Sequence, residues 1–257
     1  MEKMICINNI EMEYVEFGNG DKTMVMIPGI SLSPIIMSSM MIEAAYSLYT
    51  NDYTVYVFDR KNNLNKGDTI DDIADDYIEV FKALNLKDIY LFGASFGGMI
   101  SQLIAIKEPE MIRKLALAST VARSQGTSTV PWNKYTSLVN IEELVEEMMM
   151  SIYTPELITN NIEPMKQFYS KISQKEFDHF LIQLKSIEGF DVLDDLHKIK
   201  CPILVVISRN DHVLPYEEMK KLIDNTTCEA YIFEKASHAL YDEEPFFKDM
   251  LFSFFKK

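Results

Sequence analysis

Three residues have the types needed for nucleophilic catalysis: a serine, a histidine and an aspartate. Ser95 lies in Gly93-Ala94-Ser95-Phe96-Gly97-Gly98, directly after the apolar run Ile89-Tyr90-Leu91-Phe92 and before a helical segment. A sharp strand-to-helix turn needs small flanking residues so that backbones can pass closely, and it lifts the serine hydroxyl off the sheet in a strained conformation. The helix that follows points free N–H groups and the positive end of its dipole at the reacting centre. A serine nucleophile also needs a base and a group to orient that base. The chain has four histidines. His179 and His197 fall in or beside a helical region on polar faces and read as solvated. His212 adjoins Asp211 in sequence, so the two cannot easily face each other. His238, in Lys235-Ala236-Ser237-His238-Ala239-Leu240, follows the last apolar run. It therefore belongs to the loops at the carboxyl ends of parallel strands, the edge where such sheets bind ligands. Asp211 follows Ile203-Leu204-Val205-Val206-Ile207. The segment 118–140, the other place for an acid, contains no Asp or Glu.

The elements that must position these residues read as strands and helices in alternation. Met4-Ile5-Cys6-Ile7 and Ile10-Glu11-Met12-Glu13-Tyr14, joined by Asn8-Asn9, alternate apolar and polar as an antiparallel hairpin does. Gly18-Asn19-Gly20 marks the next turn. The runs 24–27, 54–58, 89–92, 115–118, 203–207 and 229–233 are continuously or mostly apolar, as buried strands are. Helices are expected over 35–49, from the Thr69 N-cap to about Leu84, over 97–107, 217–223 and 243–255. Strand–helix–strand at this rhythm predicts a mostly parallel eight-stranded α/β sheet with helices on both faces. Between 122 and 195 the strands stop. Helical segments rich in Glu, Met, Tyr and Phe replace them, cut by Pro131, Pro155 and Pro164. One sheet domain (1–121 and 196–257) with a helical insertion (122–195) accounts for the pattern.

At this point the chain resembles the α/β-hydrolase superfamily, in its capped branch of esterase-like and carbon–carbon-bond hydrolases. The landmarks are Ile27-Pro28-Gly29-Ile30, Asp59-Arg60, the Gly93 to Gly98 turn, Cys201-Pro202 with Asp211 beyond it, and Ser237-His238 followed by Glu244-Pro245. Ser95, Asp211 and His238 also stand in that superfamily's chain order. The resemblance implies Ser95 as nucleophile, His238 as base and Asp211 as orienting acid. It makes the backbone N–H groups of Ile30 and Phe96 the oxyanion hole and residues 122–195 a cap. It implies hydrolysis of a small, largely apolar carboxylic ester through an acyl-enzyme. A carbon–carbon-bond hydrolase or thioesterase would use the same residues, and a ligand-binding receptor that keeps the fold without turnover is the alternative of another class. Serine at the turn argues against the branches with a carboxylate nucleophile. Two departures stand out. Pro28 replaces the usual histidine, removing a side-chain brace of the oxyanion loop, and Lys61-Asn62-Asn63-Leu64 replaces a glycine-rich segment.

Composition narrows the rest. The 257 residues are 47% hydrophobic and 25% charged, a globular balance. With 25 basic and 39 acidic residues the formal charge is −14, which repels a nucleic acid. No run reaches the roughly 18–20 apolar residues of a membrane span, and no signal-peptide pattern opens the chain. A cytoplasmic enzyme acting on a small molecule, with no stable membrane insertion, is the expectation. Three cysteines at long spacings suggest neither disulfides nor a zinc site, and no cofactor or metal is called for. Sixteen methionines against one tryptophan stand out. Met37, Met40 and Met41 beyond the oxyanion loop, and Met148, Met149, Met150, Met165, Phe168, Tyr169, Phe177 and Phe180 in the insertion, suggest an adaptable apolar pocket. Met37, Met148, Met149, Phe168 and Phe177 are its expected substrate contacts.

Overall fold

Apolar alternation along the central strands builds two cores, one on each face of a single sheet. The computed structural model describes residues 1–124 and 141–257. Eight strands, β1 (Glu2–Ile7), β2 (Ile10–Phe17), β3 (Lys22–Ile27), β4 (Tyr53–Lys61), β5 (Ile89–Ala94), β6 (Ile112–Ala118), β7 (Ile203–Ser208) and β8 (Cys228–Phe233), lie in the order β1-β2-β4-β3-β5-β6-β7-β8. β1 and β2 pair antiparallel, as does β2 with β4; the remaining pairs are parallel. Val25, Ile27, Leu115, Leu117, Val205 and Ile207 enter one core, whereas Met24, Met26, Ala116, Ala118, Leu204 and Val206 enter the other. Period-two alternation within continuous apolar runs is what a sheet covered on both faces requires.

Helices α2 (Ile70–Ala83) and α3 (Phe96–Lys107) bury their apolar sides in the first core. The sequence-expected N-cap is present: Thr69 and Asp72 form a reciprocal capping box, and the bonds to Thr69 hold the Asp72 carboxyl below its usual range. The second core is closed by the C-terminal helix (Phe247–Lys256) through Phe247, Leu251, Phe254 and Phe255. The expected helix over 35–49 is broken into a 3₁₀ turn (Ile35–Ser38), α1 (Ser39–Ala45) and a second 3₁₀ turn (Ser47–Tyr49). The break turns Tyr46 and Tyr49 into the second core, where the Tyr49 hydroxyl donates to the Lys248 carbonyl at 2.6 Å.

Between β6 and β7 the chain forms α4 (Ile141–Ile152), α5 (Pro155–Tyr169) and α6 (Gln174–Ser186), then a 3₁₀ segment (Leu193–Lys198). It leaves and rejoins the sheet at adjacent points: Ser124 N–H donates to Phe190 O at 2.7 Å, and Val192 N–H to Ala122 O at 2.8 Å. Pro155 opens α5, as proline at a first helical position should. Pro164, expected to cut the region, instead lies inside α5 on an exposed face, where water can take the freed carbonyl. Pro131 lies outside the described residues. After β7 come α7 (Tyr216–Asp224), and after β8 the short α8 (Leu240–Glu243) and α9 (Phe247–Lys256). No helix among the described residues is long and apolar enough to cross a membrane.

One surface expectation changes. His179 is buried, 8% exposed, and its burial together with the nearby Arg60 cation pushes its pKa down. Asp76 of α2 is likewise half-buried, with Lys61 Nζ 2.7 Å from its carboxylate. The cause of both is tertiary packing of the helices against the buried end of β4, which local polarity does not reveal.

Candidate active site

The parallel strands end level with one another, so the loops beyond them share one edge. Ile27 pairs with Gly93, and Ala94 with Ala118. Ser95 follows β5 immediately and has φ +52°, a conformation that few non-glycine residues adopt. It is held there by its N–H to Ala118 O at 2.9 Å and by the Thr120 hydroxyl donating to its carbonyl at 2.7 Å. Gly97 lets the turn form: a Cβ there would stand 2.0 Å from Ile27 O and 2.4 Å from Pro28 O. That close approach puts the loop after β3 beside the serine.

His238 Nε2 lies 2.9 Å from Ser95 Oγ, and its Nδ1 lies 2.8 Å from Asp211 Oδ2. The side chains of His238 and Asp211 are 5% and 0% exposed. Asp211 Oδ1 accepts the N–H groups of Val213 and Leu214, each at 2.8 Å. The carboxylate is thus fixed from both oxygens, and the imidazole is fixed from both nitrogens. The three residues singled out in the sequence meet in one hydrogen-bonded chain. His212 is exposed, and so is His197, whose Nδ1 donates to the Asp194 carbonyl at 2.7 Å.

Ile30 and Phe96 both border the cavity beside Ser95. Phe96 is the first residue of α3, so its N–H has no partner within the helix. Among the described residues no protein acceptor takes the Ile30 N–H. The loop that carries Ile30 is braced despite Pro28. Arg60 Nη1 donates to the carbonyls of Ser31 and Ser33 at 3.4 and 3.3 Å, and Asp59 Oδ2 accepts Ile35 N–H at 2.7 Å. Burial raises the Asp59 pKa against the opposing pull of Arg60. The Lys61-Asn62-Asn63-Leu64 segment is ordered by pairing. Asn62 N–H donates to Glu11 O at 2.7 Å and the Asn63 amide to Asn9 O at 2.7 Å.

A cavity of about 60 Å³ lies beside Ser95. Apart from Ser95 and His238 its walls are almost wholly apolar, with Met99, Met148, Ile152, Phe180, Leu184, Ile187, Val213 and Leu214 among them. Tyr241 also borders the cavity, with a pKa that burial, reinforced by Asp242, keeps well above the ordinary tyrosine range. Of the five substrate contacts expected from sequence, only Met148 lines this cavity. Met37 is 51% exposed, and its neighbours Met40 and Met41 are 84% and 65% exposed on α1. Met149 is buried in the core beside the cavity, Phe168 packs edge-on to Tyr169, and Phe177 stacks on Phe180. The wall from α6 had a sequence signal, since Phe180, Leu184 and Ile187 recur at helical spacing. Phe177, three residues before Phe180, belongs to the same stripe but lies a turn short of the residues that line the cavity. Met99, Val213 and Leu214 had none beyond their nearness to Ser95 and Asp211.

No group of three or more His, Cys, Asp or Glu among the described residues is arranged to hold a metal. Cys6, Cys201 and Cys228 are free, and burial raises the Cys201 thiol to about 11.

Comparison with known proteins gives the same architecture. The sequence profile of the serine aminopeptidase family S33 matches residues 35–245. A putative carbamate hydrolase, RutD, of Rhizobium rhizogenes is 25% identical over 210 residues, covering 76% of this chain and 79% of that protein. The 3-oxoadipate enol-lactonase 2 of Acinetobacter baylyi is 20% identical over 250 residues, covering 94% and 91%. Among solved structures, MGS-M2, an α/β hydrolase from a Medee basin deep-sea metagenome library, has a TM-score of 0.86 at 21% identity, covering 99% and 98% of the two chains. With a profile that spans most of the chain and a fold shared along nearly all of it, the protein is a hydrolase of the serine aminopeptidase S33 family, within the α/β-hydrolase superfamily.

Proposed function

We propose that the protein hydrolyses a small, largely apolar ester-like substrate through an acyl-enzyme on Ser95. The observation that carries the reading is the chain Ser95–His238–Asp211, with hydrogen bonds of 2.9 and 2.8 Å, opening on an apolar cavity. His238 Nε2 takes the Ser95 proton as Oγ attacks the carbonyl carbon. The N–H groups of Ile30 and Phe96 receive the developing oxyanion, a contribution of roughly 3–4 kcal/mol per donor in comparable sites. Asp211 holds the imidazole with its proton on Nδ1 and stabilises the imidazolium. That imidazolium then protonates the leaving oxygen. Water, deprotonated by His238, attacks the acyl-enzyme carbonyl and restores Ser95.

Residues 122–195 act as the cap in this reading: Met148 and Ile152 of α4 and Phe180 and Leu184 of α6 close the cavity over the serine. The absence of a charged side chain from the described cavity wall favours an uncharged acyl group. A lactone or a carbamate, the bonds named for the two relatives above, would meet the same nucleophile and the same donors. The test is turnover of p-nitrophenyl acetate and butyrate by the parent and by Ser95→Ala, with fluorophosphonate labelling alongside. Loss of turnover and of labelling in Ser95→Ala supports the assignment. Near-parental turnover in that variant refutes it, and a parent that neither labels nor turns over would be a receptor on this fold.

A further inference from the structure

Glu243, the last residue of α8, accepts three hydrogen bonds. Its Oε1 takes the Thr154 N–H at 2.7 Å and the Thr154 hydroxyl at 2.9 Å, and its Oε2 takes the Ser237 hydroxyl. Ser237 is buried and directly precedes His238. Thr154 is the N-cap of α5, yet its side chain makes no capping bond to its own helix. An N-cap threonine ordinarily satisfies one of the first free N–H groups of its helix; here the hydroxyl is turned away to Glu243. A second tie runs beside the first. The N–H of Ala239, directly after His238, donates to Ile152 O at 2.9 Å, and Ile152 is both the last residue of α4 and part of the cavity wall. The residues on either side of His238 are therefore bound, one through Glu243 and one directly, to residues 152–154.

We infer that Glu243 is a positioning residue for hydrolysis: it clamps the His238 loop to the α4–α5 junction, so that the segment presenting Met148 and Ile152 to the acyl group also holds the imidazole in line with Ser95. This rests on His238 being the base. Asp211 fixes the Nδ1 end of the ring, but where the ring stands depends on the backbone of residues 237–239. A drift of about 1 Å at Nε2 would break the 2.9 Å bond to Ser95 and can cost about a hundredfold in rate. A clamp that only stabilised the fold would change the melting temperature and leave the turnover of folded enzyme alone.

The experiment compares Glu243→Ala, Glu243→Gln and Thr154→Val with the parent. The readouts are kcat and KM for p-nitrophenyl butyrate per folded molecule, fluorophosphonate labelling of Ser95, and melting temperature. Glu243→Ala is expected to lower kcat and the labelling rate together by about ten- to a hundredfold, with KM within about twofold. Glu243→Gln keeps an acceptor for Thr154 and an amide that reaches Ser237, so it should stay within about threefold of the parent. Thr154→Val removes a bond on the far side of the clamp without touching the cavity wall, and should lower kcat about threefold. The proposal is overturned if Glu243→Ala, or Thr154→Val should Glu243→Ala not fold, keeps kcat and labelling within about twofold of the parent, or if the loss falls on KM alone. Ser95→Ala separates the two failures. Turnover that survives it removes the nucleophile assignment and the clamp together, whereas an inactive Ser95→Ala beside fully active clamp variants removes the clamp only.

Discussion

Asp211→Asn is the sharpest perturbation of the site, because the structure dictates how the new amide must sit. Oδ1 of Asp211 receives two backbone donors, Val213 N–H and Leu214 N–H, both at 2.8 Å, while Oδ2 faces His238 Nδ1 at 2.8 Å. In asparagine the single carbonyl oxygen satisfies the two N–H groups and the amide nitrogen is left against the ring. That nitrogen only donates, so Nδ1 must be the bare nitrogen and Nε2 must carry the proton toward Ser95 Oγ. The ring then cannot accept the serine proton. Turning the amide over restores the productive tautomer but sets an NH₂ against two buried N–H donors, at about 1–3 kcal/mol each. The resulting total of about 2–6 kcal/mol corresponds to a fall in kcat of about 30-fold to about 2 × 10⁴-fold at about 1.4 kcal/mol per decade. The upper end is near what the same change does in a serine protease triad. The assay is kcat and KM for p-nitrophenyl butyrate near neutral pH, with a melting curve showing that the isosteric variant is folded. KM should hold within about twofold. A folded Asp211→Asn that retains kcat within about tenfold of the parent, or that loses only KM, would refute the tautomer argument.

Met148→Gln should change KM for a butyrate ester, whereas Met37→Lys should leave KM unaltered and stability within about 0.5 kcal/mol, because Met37 is exposed and away from the cavity; an effect of Met37→Lys on KM would restore it to the pocket. Arg60→Met strips the brace from Ser31 and Ser33 and leaves the buried Asp59 carboxylate unpaired; urea unfolding should show a loss of about 3–5 kcal/mol, and a loss under about 1 kcal/mol would mean the pair is not holding the loop. His179 has its pKa lowered by burial from the ordinary 6.5, so below about pH 6.5 the unfolded chain binds a proton that the folded chain does not. Stability must therefore fall with pH through that window, down to the folded pKa, and His179→Gln should lose less on going from pH 7.5 to pH 5; equal losses in the two proteins would exclude His179 as a source.

Much of the framework was legible because parallel strands buried on both faces must be continuous apolar runs, and because their C-terminal ends must carry the loops of the site. Ser95, Asp211 and His238 could be chosen on those grounds. The pocket was less legible. Met37, Met40 and Met41 follow the Ile30 loop in sequence, yet the 3₁₀ turn and α1 that carry them turn them outward; Phe177 was chosen where Phe180, Leu184 and Ile187 form the wall. A helix's apolar content says that some face is buried, while the crossing of that helix over its neighbours decides which residues face the substrate.

The amino-acid sequence by itself determined the strand and helix order, the glycines that allow the Ser95 turn, and the chain order of the three hydrogen-bonded residues. These depend on local backbone sterics and on hydrophobic period, which a linear pattern carries. Only the tertiary structure decided that Arg60 and Asp59 brace the loop where Pro28 cannot, and that His179 and Asp76 are withdrawn from solvent. It also decided that Glu243 ties residues 152–154 to the His238 loop. Each of these joins segments far apart in the chain, and hydrogen bonding and burial between distant segments are set by the packed geometry, not by any spacing along the sequence.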